Sequence, residues 1–362
     1  MGIRGIPANF GGSETVVEEM GALHASQGWD IVAYCRSHNS TTDARIYKGV
    51  RRVILPSINR LSLDTPVHSL LSTLHAGLRN TADVIHYHGV GNAMFIPIAR
   101  LFGKKTIVTV DGFDWRRPKW GSVAKWVLRR SYGWCVRWAD AVVSDNQPVY
   151  EYFKTEFGRE TDIVYYGTDL DFVPGDDGLR EFNLRPRDYF LYVGGLIPDK
   201  GVHVLVDAYR KMTTDKKLVI IGDTPYFSKY AERLRSNGDP RIVFTGFLYG
   251  AKCRQILQRA YAYIHPLLSD GTSPSLLQSM AAGNCVIASD LPETLGVVRG
   301  ATLTFAAGNS DDLRQKMIWA LAHPEEVEQY RIRARERIEA QFTWPIVAGQ
   351  YAEIYRRVGS RP

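Results

Sequence analysis

The chain has 362 residues, 45% apolar and 23% charged, the balance of a folded globular protein, and at roughly 100–200 residues per domain it suggests two domains. Its formal charge of +7 divides as +3 up to residue 172 and +4 beyond, too evenly to mark a nucleic-acid binder. No stretch approaches the roughly 20 apolar residues that span a bilayer, no apolar leader opens the chain, and Cys35, Cys135, Cys253 and Cys285 are too scattered for a disulfide framework or zinc knuckle, so a reducing cytoplasm is expected.

The chain opens on a glycine turn, Gly2-Ile3-Arg4-Gly5-Ile6-Pro7, which continues to Gly11-Gly12-Ser13. In a doubly wound domain such a turn follows the first, central strand, and here only Met1 precedes it. Either the sheet is built without that strand or the chain is truncated, and truncation is the expectation. A helix follows, with Val16, Val17, Met20 and Leu23 on one face. Short β-rich runs then alternate with amphipathic ones. Strands are expected at 29–34, 50–55, 84–87, 106–110 and 141–143, and again at 189–193, 218–221, 241–244, 262–265, 286–288 and 302–305. The break at 167–187, rich in Gly, Asp, Pro and Arg, reads as an interdomain linker. Strand–helix alternation on either side of it predicts an α/β fold of two doubly wound domains facing across a cleft, with ligands beyond the carboxyl ends of the strands.

Three turns at expected strand ends suit an anion. In Asp270-Gly271-Thr272-Ser273-Pro274-Ser275-Leu276-Leu277-Gln278, Ser273 suits a helix N-cap and Pro274 the first turn, so free N–H groups and the helix dipole would meet a ligand. Gln278, one turn in, could reach a sugar hydroxyl. The same pattern also suits an ordinary strand–loop–helix connection. In Gly194-Gly195-Leu196-Ile197-Pro198-Asp199-Lys200-Gly201 the glycines permit close backbone approach and Lys200 supplies a point charge. Gly11-Gly12-Ser13-Glu14 is the third. Asp111 ends a strand and should face the cleft. His86 and His88 share one side of a strand end and read as packing, as cleft lining or, less simply, as metal ligands. Five tryptophans at 115–138 interleave with Arg116, Arg117, Lys119, Lys125, Arg129, Arg130 and Arg137. That suits either a core helix with a solvated basic face or an anionic membrane surface, and no nucleic-acid motif accompanies it.

Together these residues resemble the retaining, nucleotide-sugar-dependent GT-B glycosyltransferases of family four over essentially the whole chain. The resemblance is carried by Gly5-Ile6-Pro7-Ala8-Asn9-Phe10-Gly11-Gly12-Ser13-Glu14-Thr15, by Tyr166-Gly167-Thr168-Asp169-Leu170-Asp171, by Val219-Ile220-Ile221-Gly222-Asp223, by Phe244-Thr245-Gly246-Phe247, and by Phe342-Thr343-Trp344 with its following helix. Asp111-Gly112-Phe113-Asp114-Trp115 and Gly271-Thr272-Ser273-Pro274-Ser275-Leu276-Leu277 resemble the branch that holds capsule and cell-wall rhamnosyltransferases. Two positions depart from the family. Gln278 stands where a ribose-gripping Glu is usual, with Asp270 at the other position of the Glu pair, and Gly195 stands where a phosphate-site Arg is usual. Loss of one charge-assisted hydrogen bond would cost about 1.5–3 kcal/mol, roughly 10- to 150-fold in donor affinity.

The resemblance implies an acceptor-side domain over 1–172, a nucleotide-sugar-binding domain over 173–344, and a closing helix over 345–362 that returns to the first. Asp111, Lys200 and Asp270 are then the candidate catalytic residues. Gly11, Gly12, Gly194, Gly195, Lys200, Thr272, Ser273 and Gln278 are the candidate donor contacts. The implied activity is hexosyl transfer, rhamnose included, from a nucleotide diphosphate sugar to a glycan or polyprenyl-linked acceptor in cell-surface polysaccharide synthesis. Neither a metal nor another cofactor is expected, and neither is a nucleic-acid partner. The expected location is the cytoplasm, peripheral to the inner face of the membrane through 115–138. The rival expectation is a catalytically impaired, glycosyltransferase-like scaffold or accessory subunit.

Overall fold

The structure is a computed structural model that describes residues 1–8, 11–60, 63–116, 120–224, 228–236, 238–269 and 273–359. Apolar runs become strands where they are buried on both faces. Lys105–Val110 and Cys285–Ser289 read as near-continuous β-branched and small residues, and the latter is wholly buried.

In chain order the elements of the first half are α1 (Gly12–Ser26), β1 (Val32–Arg36), β2 (Ile46–Tyr47), β3 (Val50–Leu55), α2 (Asp64–Arg79), β4 (Val84–His88), α3 (Ile96–Leu101), β5 (Lys105–Val110), α4 (Ser122–Trp138), β6 (Ala141–Ser144), α5 (Gln147–Phe157) and β7 (Asp162–Ile163). The second half holds α6 (Asp177–Glu181), β8 (Tyr189–Val193), α7 (Val202–Arg210), β9 (Lys217–Ile221), α8 (Ser228–Arg235), β10 (Ile242–Gly246), α9 (Gly250–Leu257) and β11 (Ala262–His265). It continues with α10 (Pro274–Ala281), β12 (Cys285–Ser289), α11 (Pro292–Val298), β13 (Leu303–Phe305), α12 (Ser310–Ala322), α13 (Pro324–Gln341) and α14 (Trp344–Gly359). All eleven strands expected from the sequence are present. The two unforeseen ones, β2 and β7, are two residues long, too short for a period to register. β2 folds back on β3 through Lys48 and Gly49, both at positive φ, as a two-residue hairpin turn requires.

The chain divides into two compact units, Met1–Gly167 with Trp344–Pro362, and Thr168–Thr343. In the first unit α14 lays Val347, Tyr351, Ile354 and Val358, one face at helical spacing, into a cluster with Val16 and Met20 of α1, Ile107 of β5 and Val143 of β6. Its strands form two sheets, β1-β3-β2 and β4-β5-β6-β7, parallel except for β2. Among the described residues no named strand lies between β1 and β4. Met1 instead donates to and accepts from β4 (to His86 O at 2.7 Å, from His88 N at 2.9 Å), and Arg4 O accepts from Arg36 N of β1 at 2.8 Å.

The second unit is one six-stranded parallel sheet in the order β10-β9-β8-β11-β12-β13. Counted within the unit this is 3-2-1-4-5-6, the doubly wound order with its switch point between β8 and β11. The stretch read from sequence as a linker is packed against this unit. Gln258 Oε1 accepts from Val173 N, and Gln255 Oε1 accepts from Gly178 N, both at 2.9 Å. The division between the units falls at the start of this stretch, between Gly167 and Thr168, and Gln255 of α9 with Gln258 just beyond it satisfies backbone groups of the rest.

Gly201 is required by contact as well as by φ. At φ +68°, a Cβ there would stand 1.8 Å from Pro266 O, whereas at Gly283, also φ +68°, it would meet open space. Gly283→Ala is expected to cost about 1 kcal/mol and Gly201→Ala more than about 2 kcal/mol, as read by urea denaturation of both variants.

Candidate active site

The second unit concentrates polar groups at the carboxyl ends of β8 and β11, which pair in parallel at Phe190–Ala262 and Leu191–Tyr263. β8 runs into Gly194 and Gly195. A Cβ on Gly222, after β9, would lie 2.0 Å from Gly194 O, so the glycine turn is held closely against the next strand end. The following single turn, Pro198–Lys200, closes on Gly201 in the left-handed region. Two contacts strap this turn to the exit of β11: Gly201 against Pro266 O, and Leu268 N donating to Asp199 O at 2.9 Å. Lys200 is thereby brought beside His265. Burial first, and the Lys200 charge second, push the His265 imidazole down to about 3, so it is neutral near pH 7.

Tyr263 ties the two strand ends to α10. Its hydroxyl lies 2.9 Å from Ser275 Oγ and 3.4 Å from Val193 O, and its ring stacks on His265. Ser273 occupies the N-cap position of α10, and its carbonyl accepts from Leu276 N, yet its hydroxyl makes no cap bond. It meets Ser275 Oγ at 3.0 Å instead, because the Tyr263–Ser275 pair draws it sideways. Side-chain capping by Ser273 is therefore corrected. Pro274 has no N–H, and Leu276 N and Leu277 N donate to Ser273 O at 3.1 and 3.4 Å, so the start of α10 offers the Ser275 N–H and the positive end of the helix dipole. Asp270 and Thr272 lie outside the described residues.

Gln278 is exposed on α10 and lines a cavity of about 450 Å³. The cavity also takes in Asp169, Val193, Leu248, Tyr249 and Arg254; Gly194, Gly195 and Lys200 do not line it. Tyr249 and Arg254 were missed from sequence. The available signal was two aromatics in a glycine-flanked turn, Gly246-Phe247-Leu248-Tyr249-Gly250: Phe247 and Tyr249 are 54% and 76% exposed and stack at 6.1 Å with planes 9° apart.

In the first unit, Asp111 follows β5 and accepts from Ser13 Oγ at 3.2 Å, which brings the Gly11–Gly12 turn and Asp111 together. The turn is pinned from within: Glu14 Oε1 accepts from Arg4 N at 2.9 Å and Glu18 Oε2 from Ala8 N at 2.6 Å. Desolvation, then the charges of Asp111 and Asp145, hold the Tyr166 phenol well above its ordinary value, so both carboxylates lie near this half-buried side chain. Asp145, itself 1% exposed after β6, had no motif to announce it. His86 engages Tyr355 Oη through Nδ1 (2.8 Å) and Thr109 Oγ1 through Nε2 (2.7 Å), which leaves no nitrogen for a metal. Among the described residues no group of three or more acidic, His or Cys side chains could hold a metal ion, and no helix is long and apolar enough to cross a membrane.

Of the tryptophans at 115–138, Trp115, Trp134 and Trp138 pack on the core of the first unit, while Trp126 is 59% exposed. Arg130 lies over the Trp126 ring and Arg129 over Trp115.

Two family models meet the chain: "Glycosyl transferase 4-like domain" over 11–167 and "Glycosyl transferases group 1" over 187–323. The chain belongs to the GT-B glycosyltransferases of family four. It is similar to an alpha-maltose-1-phosphate synthase of Mycolicibacterium smegmatis, 26% identical over 77% of this chain and 80% of that one. It is also similar to the D-rhamnosyltransferase WbpZ of Pseudomonas aeruginosa, 29% identical over 53% of each. Anabaena HepE, solved with UDP, shares the fold at a TM-score of 0.79 and 16% identity, with 96% of each chain covered. This glycosyltransferase thus has two Rossmann-like units.

The buried histidines set a pH dependence. Unfolded imidazoles protonate near pH 6.5, whereas His265 and His88 resist to about 3 and His68 to about 4. The unfolded state then binds more protons, so stability falls as pH drops below about 6.5. Urea denaturation between pH 6.5 and 4.5 is expected to show this fall, and His265→Gln should flatten it by up to about 1.4 kcal/mol per pH unit.

Proposed function

We propose that this glycosyltransferase moves a hexose, rhamnose included, from a nucleotide diphosphate sugar to a glycan or polyprenyl-linked acceptor in cell-surface polysaccharide synthesis, with retention and without a metal. The observation that carries the donor reading is the convergence at the β8–β11 switch point of a glycine turn, Lys200 and the N-terminus of α10. Backbone N–H groups there cost no reorganisation, and a lysine ammonium at their edge stabilises a departing diphosphate. The Gln278 cavity, with aromatic Tyr249 and apolar Leu248 and Val193, suits the nucleoside: the amide for a ribose hydroxyl, the wall for a base. The UDP in the HepE structure and the name of WbpZ support the donor class and the sugar.

On the acceptor side the reading rests on Asp111, held at the Gly11–Gly12 turn by Ser13. Asp270 near the sugar and Thr272 near the phosphates complete the assignment. The rival reading, a binding-only subunit, is favoured by Gln278 and Gly195, which remove two charges from the donor site. Donor hydrolysis and transfer by the purified chain decide between them. Activity is expected to persist in EDTA; its loss on chelation, restored by a divalent cation, would overturn the metal-free assignment.

Lys200→Ala should weaken nucleoside diphosphate binding by about 10- to 150-fold with little change in melting temperature, as measured by calorimetry. Gln278→Glu should tighten it. Unchanged affinity in the lysine variant would remove Lys200 from the site.

The membrane reading is carried by α4, where Trp126, Arg129, Arg130, Trp134 and Arg137 line one groove of about 780 Å³ with Glu156 its one acidic wall residue. Each basic residue near an anionic surface contributes about 1 kcal/mol, screened over about 8 Å at physiological salt. Replacing Arg129 and Arg130 with Glu should abolish sedimentation with phosphatidylserine vesicles and cut transfer to a lipid-linked acceptor more than to a soluble one. Equal losses on both acceptors would return α4 to the role of a core helix with a basic face.

A further inference from the structure

The carboxyl ends of β8 and β11 carry a short chain of hydroxyls whose direction is fixed at its buried end. Tyr263 of β11 is wholly buried, and its hydroxyl donates to Ser275 Oγ at 2.9 Å. A longer contact reaches Val193 O at 3.4 Å, so the phenol stands between the end of β8 and the first turn of α10. Its ring stacks on that of His265. Burial holds the phenol above its ordinary value, so it keeps its proton and stays a donor near neutral pH.

Ser275 Oγ therefore accepts from the core and has its own proton to give. Its neighbour is Ser273 Oγ at 3.0 Å, and the distance alone allows either serine to donate. The bond from Tyr263 decides between them. It fills one acceptor position on Ser275, and a hydroxyl that accepts becomes a stronger donor in turn. The favoured order is Tyr263 to Ser275 to Ser273. Ser273 Oγ then holds a proton that no group takes up among the described residues: it makes no cap bond to α10, and Ser275 Oγ is its hydrogen-bond neighbour. Ser273 is only 8% exposed, and a buried donor left unmade is costly.

The surroundings of that proton say what accepts it. The Ser275 N–H lies in the same turn, and the positive end of the α10 dipole adds to it. Lys200 lies beside His265, the residue on which Tyr263 stacks. These groups are donors or positive charges, which suits an anionic oxygen better than a sugar hydroxyl.

We propose that Tyr263 is a positioning residue of the donor site: its buried hydroxyl orders the Ser275–Ser273 pair so that Ser273 presents its O–H to a diphosphate oxygen of the nucleotide sugar. This inference rests on the donor reading above. Tyr263 acts through the two serines and does not itself touch the ligand. Without its hydroxyl, Ser273 is released to cap α10, as serine at that position ordinarily does, and its O–H is lost to the ligand. The nucleoside, on the Gln278 side, lies outside the relay.

NMR titration of the full chain with UDP, GDP, dTDP and ADP, each beside its nucleoside, tests this on Tyr263→Phe, Ser273→Ala, the double variant and Tyr189→Phe. Tyr189 is an equally buried phenol at the amino end of β8, bonded to Ile256 O, and reports a purely structural loss. For the diphosphate that binds best, Tyr263→Phe is expected to weaken binding about five- to tenfold and to change nucleoside affinity less than about twofold. Ser273→Ala should weaken diphosphate binding about as much, and the double variant no more than the larger single one, because both act on one proton. Tyr189→Phe should lower the melting temperature and leave both affinities unchanged. Equal losses for nucleoside and diphosphate in Tyr263→Phe, multiplied losses in the double variant, or an unchanged diphosphate affinity would overturn this inference and leave the donor reading standing. Binding of none of the four diphosphates to the unmodified chain would overturn both.

Discussion

The second unit depends on a single topological constraint: β8 and β11 lie side by side and parallel, yet their connections depart toward opposite edges of the sheet. Where they part, backbone groups at two strand ends and one helix start come together. Gly194 and Gly201 let these turns close tightly, and the contact of Gly201 with Pro266 O shows how little room is left. The same packing sets the electrostatics. Burial keeps His265 neutral, so Lys200 is the cation that the assembly offers to an anion at this end of the sheet.

The first unit repeats the plan with different emphasis. Its glycine turn is held by buried carboxylates, Glu14 and Glu18, that accept from the backbone of the turn itself. Those bonds fix where α1 begins, and hence where Ser13 meets Asp111. α14 and α1 then form one apolar layer over β5 and β6.

Much of the fold was legible because parallel strands buried on both faces spell themselves out. The apolar runs at β8, β9, β11 and β12 leave little else for those residues to be. Lys48-Gly49 with its two-residue strands was not legible, since two residues carry no period. The break after Gly167 was legible from composition, but the packing of the polar stretch was not, because what fixes it, Gln255 and Gln258, lies about 80 residues away. At the site, glycine turns and the Ser273-Pro274 helix start could be read locally. Asp145, Tyr249 and the sideways bond of Ser273 could not, because each depends on neighbours from other elements. The tryptophan-rich stretch was ambiguous for a similar reason: five tryptophans read alike in sequence, and only packing separates exposed Trp126 from Trp115, Trp134 and Trp138.

The central claim is that the β8–β11 switch point holds the diphosphate of the donor. An amide-resolved NMR titration of the full chain with a panel of nucleoside diphosphates tests it most directly. The account predicts saturable shifts at Gly194, Gly195, Lys200 and the first amides of α10, with smaller ones around Tyr249 and Gln278, and weaker binding of the matching monophosphates. Saturable shifts confined to other strand ends, or equal binding of mono- and diphosphates with Gly194 to Lys200 unmoved, would contradict it.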